Sequence, residues 1–167
     1  MSQLHRKNLY LVRAAVIAAL YVALTWFVAP FGLSGMGAIQ LRVSEALCIL
    51  PYFTPAGIPG VALGCLLSNL LTGAHLLDIV FGTLATLIGA IGTRLLRRSP
   101  YLAALPPILA NTLIVPFVLR SAYGMTEIPM GFLFASVAIG ELISAGVLGL
   151  MLLFALEKHR GTLFGNK

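Results

Sequence analysis

The stretch QLRVSEALCILPYFTPAGIPG, residues 40–60, places an arginine and a glutamate three residues apart inside an apolar run. Charged side chains are rare in membrane-spanning helices, because a charge near the bilayer centre costs about 2.5 to 3.5 kcal/mol on insertion scales. Pro55 and Pro59 interrupt the run, since proline lacks a backbone donor and restricts the residue before it. The stretch therefore predicts a short helix over 40–54, followed by a tight turn and a second helix.

The whole chain is far more apolar than a soluble domain. Of its 167 residues, 59% are hydrophobic and 10% are charged, and the mean hydropathy is +0.99. The first apolar run continues from about Leu9 to Ala29, longer than the core of a signal peptide, so we expect it to be retained as a span. Residues 1–167 are therefore expected to form one multi-pass membrane domain.

Apolar runs separated by glycine, proline and charge predict an all-α fold, an integral membrane bundle of six transmembrane helices. The six spans cover residues 9–29, 40–54, 57–73, 77–97, 101–120 and 130–157. Six spans leave both termini on one side, where nine of the eleven Lys and Arg residues then lie. Only Arg42 and Arg120 remain opposite. The positive-inside rule therefore predicts that the N- and C-termini are cytoplasmic.

Polar side chains from five predicted helices lie at overlapping depths in the outer half of the membrane: Glu45, Asn69, Asp78, Asn111 and Glu141. Glu141 lies roughly 16 Å into the sixth helix at about 1.5 Å per residue. Ionisable residues at such depths need a partner, a wet cavity or a ligand. The pattern predicts a binding pocket that opens outward, and Arg42 is included among its candidate residues.

Structural roles are the alternative for some of these residues. Arg42 and Glu45 are spaced i, i+3 and could pair on one helix face. Asp78 could cap the fourth helix, since TGAHLLD resembles a turn. Glu141 has no basic residue within a turn, which favours a functional role. Aromatic side chains at nearby depths could stack on a flat ligand: Trp26, Phe81, Tyr123 and Phe134.

The first helix carries a strip of small residues that permits close helix packing. The strip consists of Ala15, Ala19 and Ala23 at four-residue spacing, with Ala14 and Ala18 beside them. It could pack within the bundle or dock to a separate membrane subunit. Gly60 and Gly64 form a similar pair in the third helix, where internal packing is predicted.

Motifs of catalysis are missing from the sequence. It contains no GxxxxGK[ST] loop to bind ATP and no GxSxG or HExxH arrangement. Cys48 and Cys65 lack metal-ligand spacing and are predicted to be small buried hydrophobes. The basic residues flank hydrophobic spans, which favours a role in orientation over nucleic-acid binding. We therefore predict no enzyme, metal or cofactor, and a binding subunit that takes its energy from partners.

Two stretches carry a resemblance to a known family: IQLRVSEALCILPYFTPAGIPGVALGCLLSNLLTG, residues 39–73, and DIVFGTLATLIGA, residues 78–90. They resemble the QueT family, substrate-binding S components of energy-coupling factor (ECF) transporters assigned to queuosine precursors. The resemblance extends over nearly the whole chain. It implies partnership with a membrane coupling protein and two cytoplasmic ATPases, contact of the coupling protein with Ala15, Ala19 and Ala23, and transport by toppling of the loaded subunit.

The resemblance also implies a 7-deazaguanine ligand, such as preQ1 or queuine. The guanine-like edge of this ligand presents neighbouring N–H donors that suit a bidentate carboxylate, and the aminomethyl form adds a cation. Our hypothesis is that Glu141 or Glu45 binds the edge, and that Asp78 or the other glutamate binds the amine. Asn69 and Asn111 complete the hydrogen bonding.

Other functions stay open at this point. The chain could be an S component for another vitamin-like ring, a self-sufficient proton-coupled permease with Glu141 as the proton carrier, or a structural assembly subunit. The lack of an obvious inverted repeat disfavours the permease. The convergence of unpaired acids disfavours the structural subunit.

Overall fold

The computed structural model describes residues 3–28 and 41–164, and the regular structure in these ranges is entirely helical. In chain order the elements are α1 (Gln3–Val28), a 3₁₀ helix (Val43–Tyr52), α2 (Gly57–Leu71), α3 (Leu76–Leu95), α4 (Pro100–Ala122), α5 (Met130–Glu141), a π-helical segment (Leu142–Leu148), α6 (Gly149–Glu157) and α7 (Arg160–Phe164). The predicted all-α class is confirmed. The predicted boundaries at residues 29 and 40 lie outside the described ranges.

Four helices in the described ranges are long and apolar enough to cross a membrane. They are α1, α3, α4 and the continuous helix Met130–Glu157, which joins α5, the π segment and α6. The 3₁₀ helix, with 10 residues, and α2, with 15, are apolar but shorter. At about 1.5 Å per residue, α2 extends about 22 Å, less than the roughly 30 Å of a bilayer core. The chain is a multi-pass membrane protein.

The 3₁₀ helix lies at the centre of the bundle. It packs against α1, α2, α3, α4, the π segment and α6, and its residues from Ser44 to Pro51 are all buried. The predicted helix over residues 40–54 is confirmed as a helix, but it covers Val43–Tyr52 and is a 3₁₀ helix, not an α-helix. Ten residues is long for this type, whose hydrogen bonds have poorer geometry, and packing on all sides compensates. Because 3₁₀ residues three apart align, Glu45 and Cys48 share one face.

Close packing of α1 against α2 depends on glycine. A Cβ atom at Gly64 would lie 2.5 Å from the Cβ of Tyr21, and one at Gly60 would lie 2.8 Å from the Cβ of Ile17. Side chains at these positions would push the helices apart. The predicted internal packing of Gly60 and Gly64 is therefore confirmed, and it brings Tyr21 toward the bundle centre.

The two ends of the described chain meet at one end of the bundle. Arg13 near the start donates from Nη2 to the carbonyl oxygen of Leu163 at 3.1 Å. The rings of Phe53 and Phe164 stack with centroids 4.8 Å apart. Arg94, at the end of α3, donates to the last two carbonyl oxygens of the 3₁₀ helix at 3.2 and 3.3 Å. Basic side chains therefore gather at this end.

Candidate functional site

Glu45 is buried at the bundle centre with 1% of its surface exposed. Tyr21 on α1 donates its phenolic hydrogen to Oε1. Cys48, one 3₁₀ turn later, donates from Sγ to Oε2 at 2.9 Å, and Asn111 on α4 donates from Nδ2 to the same oxygen at 3.5 Å. Three neutral donors from three elements thus hold this carboxyl group. The alternative in which Arg42 pairs with Glu45 is wrong, because Arg42 forms its ion pair elsewhere.

Glu141, the last residue of α5, is 5% exposed. It interacts electrostatically with Glu45, and its side chain lies within hydrogen-bonding reach of Asn111. Its Oε2 atom is buried without a hydrogen-bond partner in the described ranges, and the same holds for Oγ of the fully buried Ser144. A buried polar group left unpaired costs about 1 to 3 kcal/mol. These two atoms are therefore candidates to meet a ligand.

The π-helical segment directly follows Glu141. Its outward residues are large and apolar, whereas Ser144, Ala145 and Gly146 face inward and are buried. These small side chains let the segment pack against the 3₁₀ helix and α4. A π-helical insertion changes which residues of a helix face inward, and such insertions are frequent at functional sites. Here the segment places the hydroxyl group of Ser144 in the interior, three residues after Glu141.

Asp78 is the centre of a second polar group. Arg42 lies 3.3 Å from Oδ2 and 3.5 Å from Oδ1 through Nη2, and Tyr123 donates its hydroxyl to Oδ2 at 2.9 Å. Tyr123 lies just beyond α4, where burial and the neighbouring Asp78 raise its pKa, so its hydroxyl stays protonated at neutral pH. The alternative in which Asp78 caps α3 is wrong. His75 is the N-cap, and its Nδ1 accepts from the backbone of Leu77 at 3.2 Å.

Asn69 joins the same group from α2. Its Nδ2 donates to the backbone carbonyl of Asp78 at 3.4 Å. A Cβ atom on Gly82 would lie 3.0 Å from Oδ1 of Asp78, 3.4 Å from Nδ2 of Asn69 and 3.9 Å from Nη1 of Arg42. Three side chains from separate elements therefore converge over this glycine. We call Arg42, Asn69, Asp78 and Tyr123 the arginine cluster, and Glu45 with Glu141 the acid pair.

All six predicted site residues lie in or beside these two groups. Asn111 contacts the acid pair, and Arg42 connects the groups, because it binds Asp78 and interacts electrostatically with both glutamates.

Of the four aromatic candidates for stacking on a ligand, one lies in a polar group and the other three do not. Tyr123 lies in the arginine cluster, whereas Trp26 and Phe81 are 63% and 43% exposed. Phe134 packs edge-on against Phe117 at 5.7 Å.

Three residues of this region were not predicted from the sequence as site residues: Tyr21, Cys48 and Ser144. The spacing of each residue from a buried alanine or from an acid could have indicated its place on an inward face. Tyr21 is three residues beyond Ala18 on the buried face of α1, and Cys48 and Ser144 each follow an acid by three residues. Cys48 and Cys65 are free and buried, which confirms their predicted burial.

Comparison with known proteins identifies the family. A family model described as QueT transporter matches residues 11–158. The chain belongs to the QueT transporter family. It is 42% identical over 84 residues to the protein named Queuosine precursor transporter QueT of Lactococcus lactis subsp. cremoris (strain MG1363). That alignment covers 49% of this chain and 47% of the relative, so it spans about half the length of the curated relative. No solved structure matches the chain.

The QueT match includes both polar groups and most of α1, whose alanines divide between two faces. Ala14 and Ala18 are 6% and 7% exposed and pack toward α2. Ala15, Ala19 and Ala23 lie on the exposed face. The apolar window of α1 is only 22% buried, the lowest share among the four candidate spans of the described ranges. In this QueT-family bundle the predicted docking strip is therefore open surface, and the neighbouring alanines serve internal packing.

Proposed function

We propose that this QueT-family chain is the substrate-binding membrane subunit of an ECF-type importer and captures a queuosine precursor of the 7-deazaguanine class. The observation that carries the proposal is the buried acid pair, in which one carboxyl oxygen of Glu141 has no hydrogen-bond partner in the described ranges. The printed name of the Lactococcus lactis relative, a queuosine precursor transporter, supports the ligand class.

The chemistry of the ligand suits two acids. The guanine-like edge offers adjacent N–H groups, and a carboxylate can accept two such hydrogen bonds at once. The aminomethyl substituent carries a positive charge, which a second carboxylate can pair in a low-dielectric site. A planar nitrogenous ring with a cationic arm can therefore use both members of the acid pair.

We assign the guanine-like edge to Glu141, because its Oε2 is buried without a hydrogen-bond partner in the described ranges, as is Oγ of Ser144 three residues later. Glu45, whose oxygens already accept from neutral groups, pairs with the amine. Asn111 lies between the two glutamates and donates to the ligand or to either acid.

The arginine cluster has a different proposed role. Asp78 is already paired with Arg42, so its carboxylate is less available than the acid pair to a ligand. We propose that Arg42, Asn69 and Asp78 form the wall of the site on its extracytoplasmic side. In this arrangement they hold the 3₁₀ helix, α2 and α3 together around the ligand.

The proposed topology has six spans with both termini in the cytoplasm. The contact between Arg13 and Leu163 supports termini on one side, and nine of the eleven Lys and Arg residues belong to that side in the six-span arrangement. The two short helices then cross with the support of the neighbouring helices that they pack against. The acid pair and the arginine cluster face outward.

Energy for transport comes from partners in this proposal, since the sequence has no ATP-binding loop. A membrane coupling protein packs against the exposed strip of Ala15, Ala19 and Ala23, where small side chains allow close helix contact. Two cytoplasmic ATPases drive the cycle, and toppling of the loaded subunit delivers the ligand inward.

Calorimetric titration of the purified full chain with 7-aminomethyl-7-deazaguanine tests the binding proposal. We expect Glu141→Gln and Glu45→Gln to weaken binding at least about tenfold, because a charge-assisted hydrogen bond contributes about 1.5 to 3 kcal/mol. Glu157→Gln is the matched control, since Glu157 is exposed in a surface pair with Arg160. Affinities within twofold of the parent for both site variants would remove the acid pair from the binding site.

Transport by the chain alone separates this function from a proton-coupled permease. In vesicles that contain only this chain, we expect no accumulation of labelled ligand under a proton gradient. Vesicles that also contain the coupling protein and ATPases should accumulate it when ATP is added. Uptake by the chain alone would indicate the permease.

A further inference from the structure

Ser144 differs from most other hydroxyl-bearing residues of the described helices. Serine and threonine in an α-helix can donate to the backbone carbonyl oxygen four residues earlier. Five residues in or directly after the described helices do so, at 2.6 to 3.1 Å: Thr25, Ser68, Thr72, Thr86 and Ser121. Thr83 and Thr112 have unpaired hydroxyl groups but are only partly buried. Ser144 is 0% exposed, and its Oγ has no hydrogen-bond partner in the described ranges.

The π-helical geometry explains why this hydroxyl group is left over. Backbone hydrogen bonds of the segment span five residues, as between the N–H of Gly149 and the carbonyl oxygen of Ser144, so its carbonyl groups leave their α-helical positions. Glu141 and Ser144 are buried, whereas the leucine and isoleucine between them are 52% and 38% exposed. The carboxyl group and the hydroxyl group therefore both face the interior of the bundle.

Contacts across the bundle place Ser144 beside the central 3₁₀ helix. A Cβ atom on Gly149 would lie 3.6 Å from the carbonyl oxygen of Ala46 and 3.8 Å from the carbonyl oxygen of Ser144. A Cβ atom on Gly146 would meet Cδ1 of Ile108 on α4 at 3.5 Å. The small residues of the π segment thus allow close packing on both neighbours. Bulk water does not reach the hydroxyl group of Ser144 in this position.

Other hydrogen-bond donors of the candidate site already have acceptors. Tyr21 and Cys48 donate to the carboxyl group of Glu45, and Asn111 donates to the same group at 3.5 Å. Ser144 has a donor to offer, because a hydroxyl group both donates and accepts. A buried polar group without a partner lowers stability, and a bound acceptor would remove that cost.

We infer that the hydroxyl group of Ser144 donates to the 6-oxo oxygen of the bound ring and selects ligands that carry an acceptor at this position. This inference rests on the proposed function, in which Glu141 accepts from the N–H groups of the guanine-like edge. The oxo oxygen beside those groups is an acceptor, which a carboxylate cannot pair. Ser144 supplies the missing donor, so that one helix binds three adjacent groups of the ring.

Calorimetry with two ligands that differ in one atom tests the inference. The 6-thio analogue of 7-aminomethyl-7-deazaguanine keeps both N–H donors but replaces the oxo oxygen by sulfur, a weaker acceptor. We expect the full parent chain to bind the oxo form about tenfold more tightly than the thio form. Ser144→Ala should bind the oxo form about tenfold more weakly than the parent, and should bind the two forms within about twofold of each other.

Thermal stability separates a ligand contact from a structural role. Because the hydroxyl group has no partner in the described ranges, Ser144→Ala without ligand should melt at the temperature of the parent or above it. Thr93→Val is the contrasting variant, since Thr93 is 0% exposed and donates to the carbonyl oxygen of Ala103 at 2.8 Å. It should melt at a lower temperature and keep the preference for the oxo form. An equal fall for Ser144→Ala would overturn the inference.

The binding results distinguish the inference from the proposed function. Equal affinity of the parent for both ligands would overturn the role of Ser144 and leave the proposed function standing, and this comparison does not require Ser144→Ala to fold. A Ser144→Ala chain that binds the oxo form within twofold of the parent, or that loses the same affinity for both forms, would also overturn it. No binding of either ligand to the parent would overturn the proposed function and the inference with it.

Discussion

Tyr21 on α1 donates its phenolic hydrogen bond to Glu45 on the 3₁₀ helix. Tyr21 is 2% exposed, whereas Ala19 and Ala23, two residues away on either side, lie on the outer face of the same helix. One helix therefore contacts the candidate binding site on one face and presents the proposed docking strip on the other. A movement of α1 would therefore displace residues of both the candidate binding site and the proposed docking strip.

The substitution Tyr21→Phe tests the first of these contacts. It keeps the ring but removes the donor, which leaves Oε1 of Glu45 without its phenolic partner. We expect thermal stability in detergent to fall by an amount that corresponds to about 1 to 3 kcal/mol. Tyr10→Phe is the control, because Tyr10 is 40% exposed on the same helix. Equal melting temperatures for the two variants would show that the hydrogen bond contributes nothing to stability.

Packing of α1 on α2 gives a second prediction. In Gly64→Ala the new methyl group would meet the Cβ of Tyr21 at 2.5 Å and the Cα of Ala18 at 3.2 Å. Because backbone must move, we expect a loss of about 1 to 3 kcal/mol, measured by thermal unfolding. Gly131→Ala is the matched control, since a Cβ there meets nothing within 4 Å. A Gly64→Ala protein as stable as the Gly131→Ala protein would contradict the close approach.

The ion pair of Arg42 and Asp78 is the subject of a third prediction. The side chains are 19% and 7% exposed, so solvent screens the pair only in part. A double-mutant cycle with Arg42→Gln and Asp78→Asn should give a coupling energy of about 1 kcal/mol or more. The surface pair of Arg160 and Glu157, 49% and 42% exposed, should give below about 0.5 kcal/mol in the same cycle. Equal coupling in the two cycles would show that burial does not strengthen the first pair.

Sequence patterns predicted the long helices well where local signals define both ends. The predicted span 130–157 coincides with the continuous helix Met130–Glu157, which Pro129 precedes and Lys158 follows. The type of the second helix could not be predicted in this way. A buried 3₁₀ helix of ten residues depends on neighbours from six other elements, most of which are remote from it in the sequence.

For the candidate site too, the sequence predicts the position of a residue along its helix but not its contacts with other helices. Depth along the predicted spans grouped Glu45 with Glu141, because depth follows from helix rise alone, and both side chains are buried in the described structure. Partners across the bundle do not follow from it. Arg42 is three residues from Glu45 yet pairs with Asp78, 36 residues away, because the fold places α3 beside the start of the 3₁₀ helix.

The exposed alanine strip gives a fourth prediction, which depends on the proposed partnership. Ala19→Leu should reduce co-purification with the coupling protein and ATPases at least about tenfold, because a large side chain prevents close helix contact. Binding of 7-aminomethyl-7-deazaguanine should remain within about twofold of the parent. Ala135→Leu on α5 is the control at another exposed alanine. Normal assembly of the Ala19→Leu protein would exclude this face of α1 as the docking surface.

A structure of the full chain with 7-aminomethyl-7-deazaguanine tests most directly whether buried carboxylates from separate helices bind a planar nitrogenous ring. We predict that an N–H group of the guanine-like edge lies about 2.7 to 3.1 Å from Oε2 of Glu141, and that the amine contacts Glu45. A bound ring that touches neither carboxyl group would contradict the proposal.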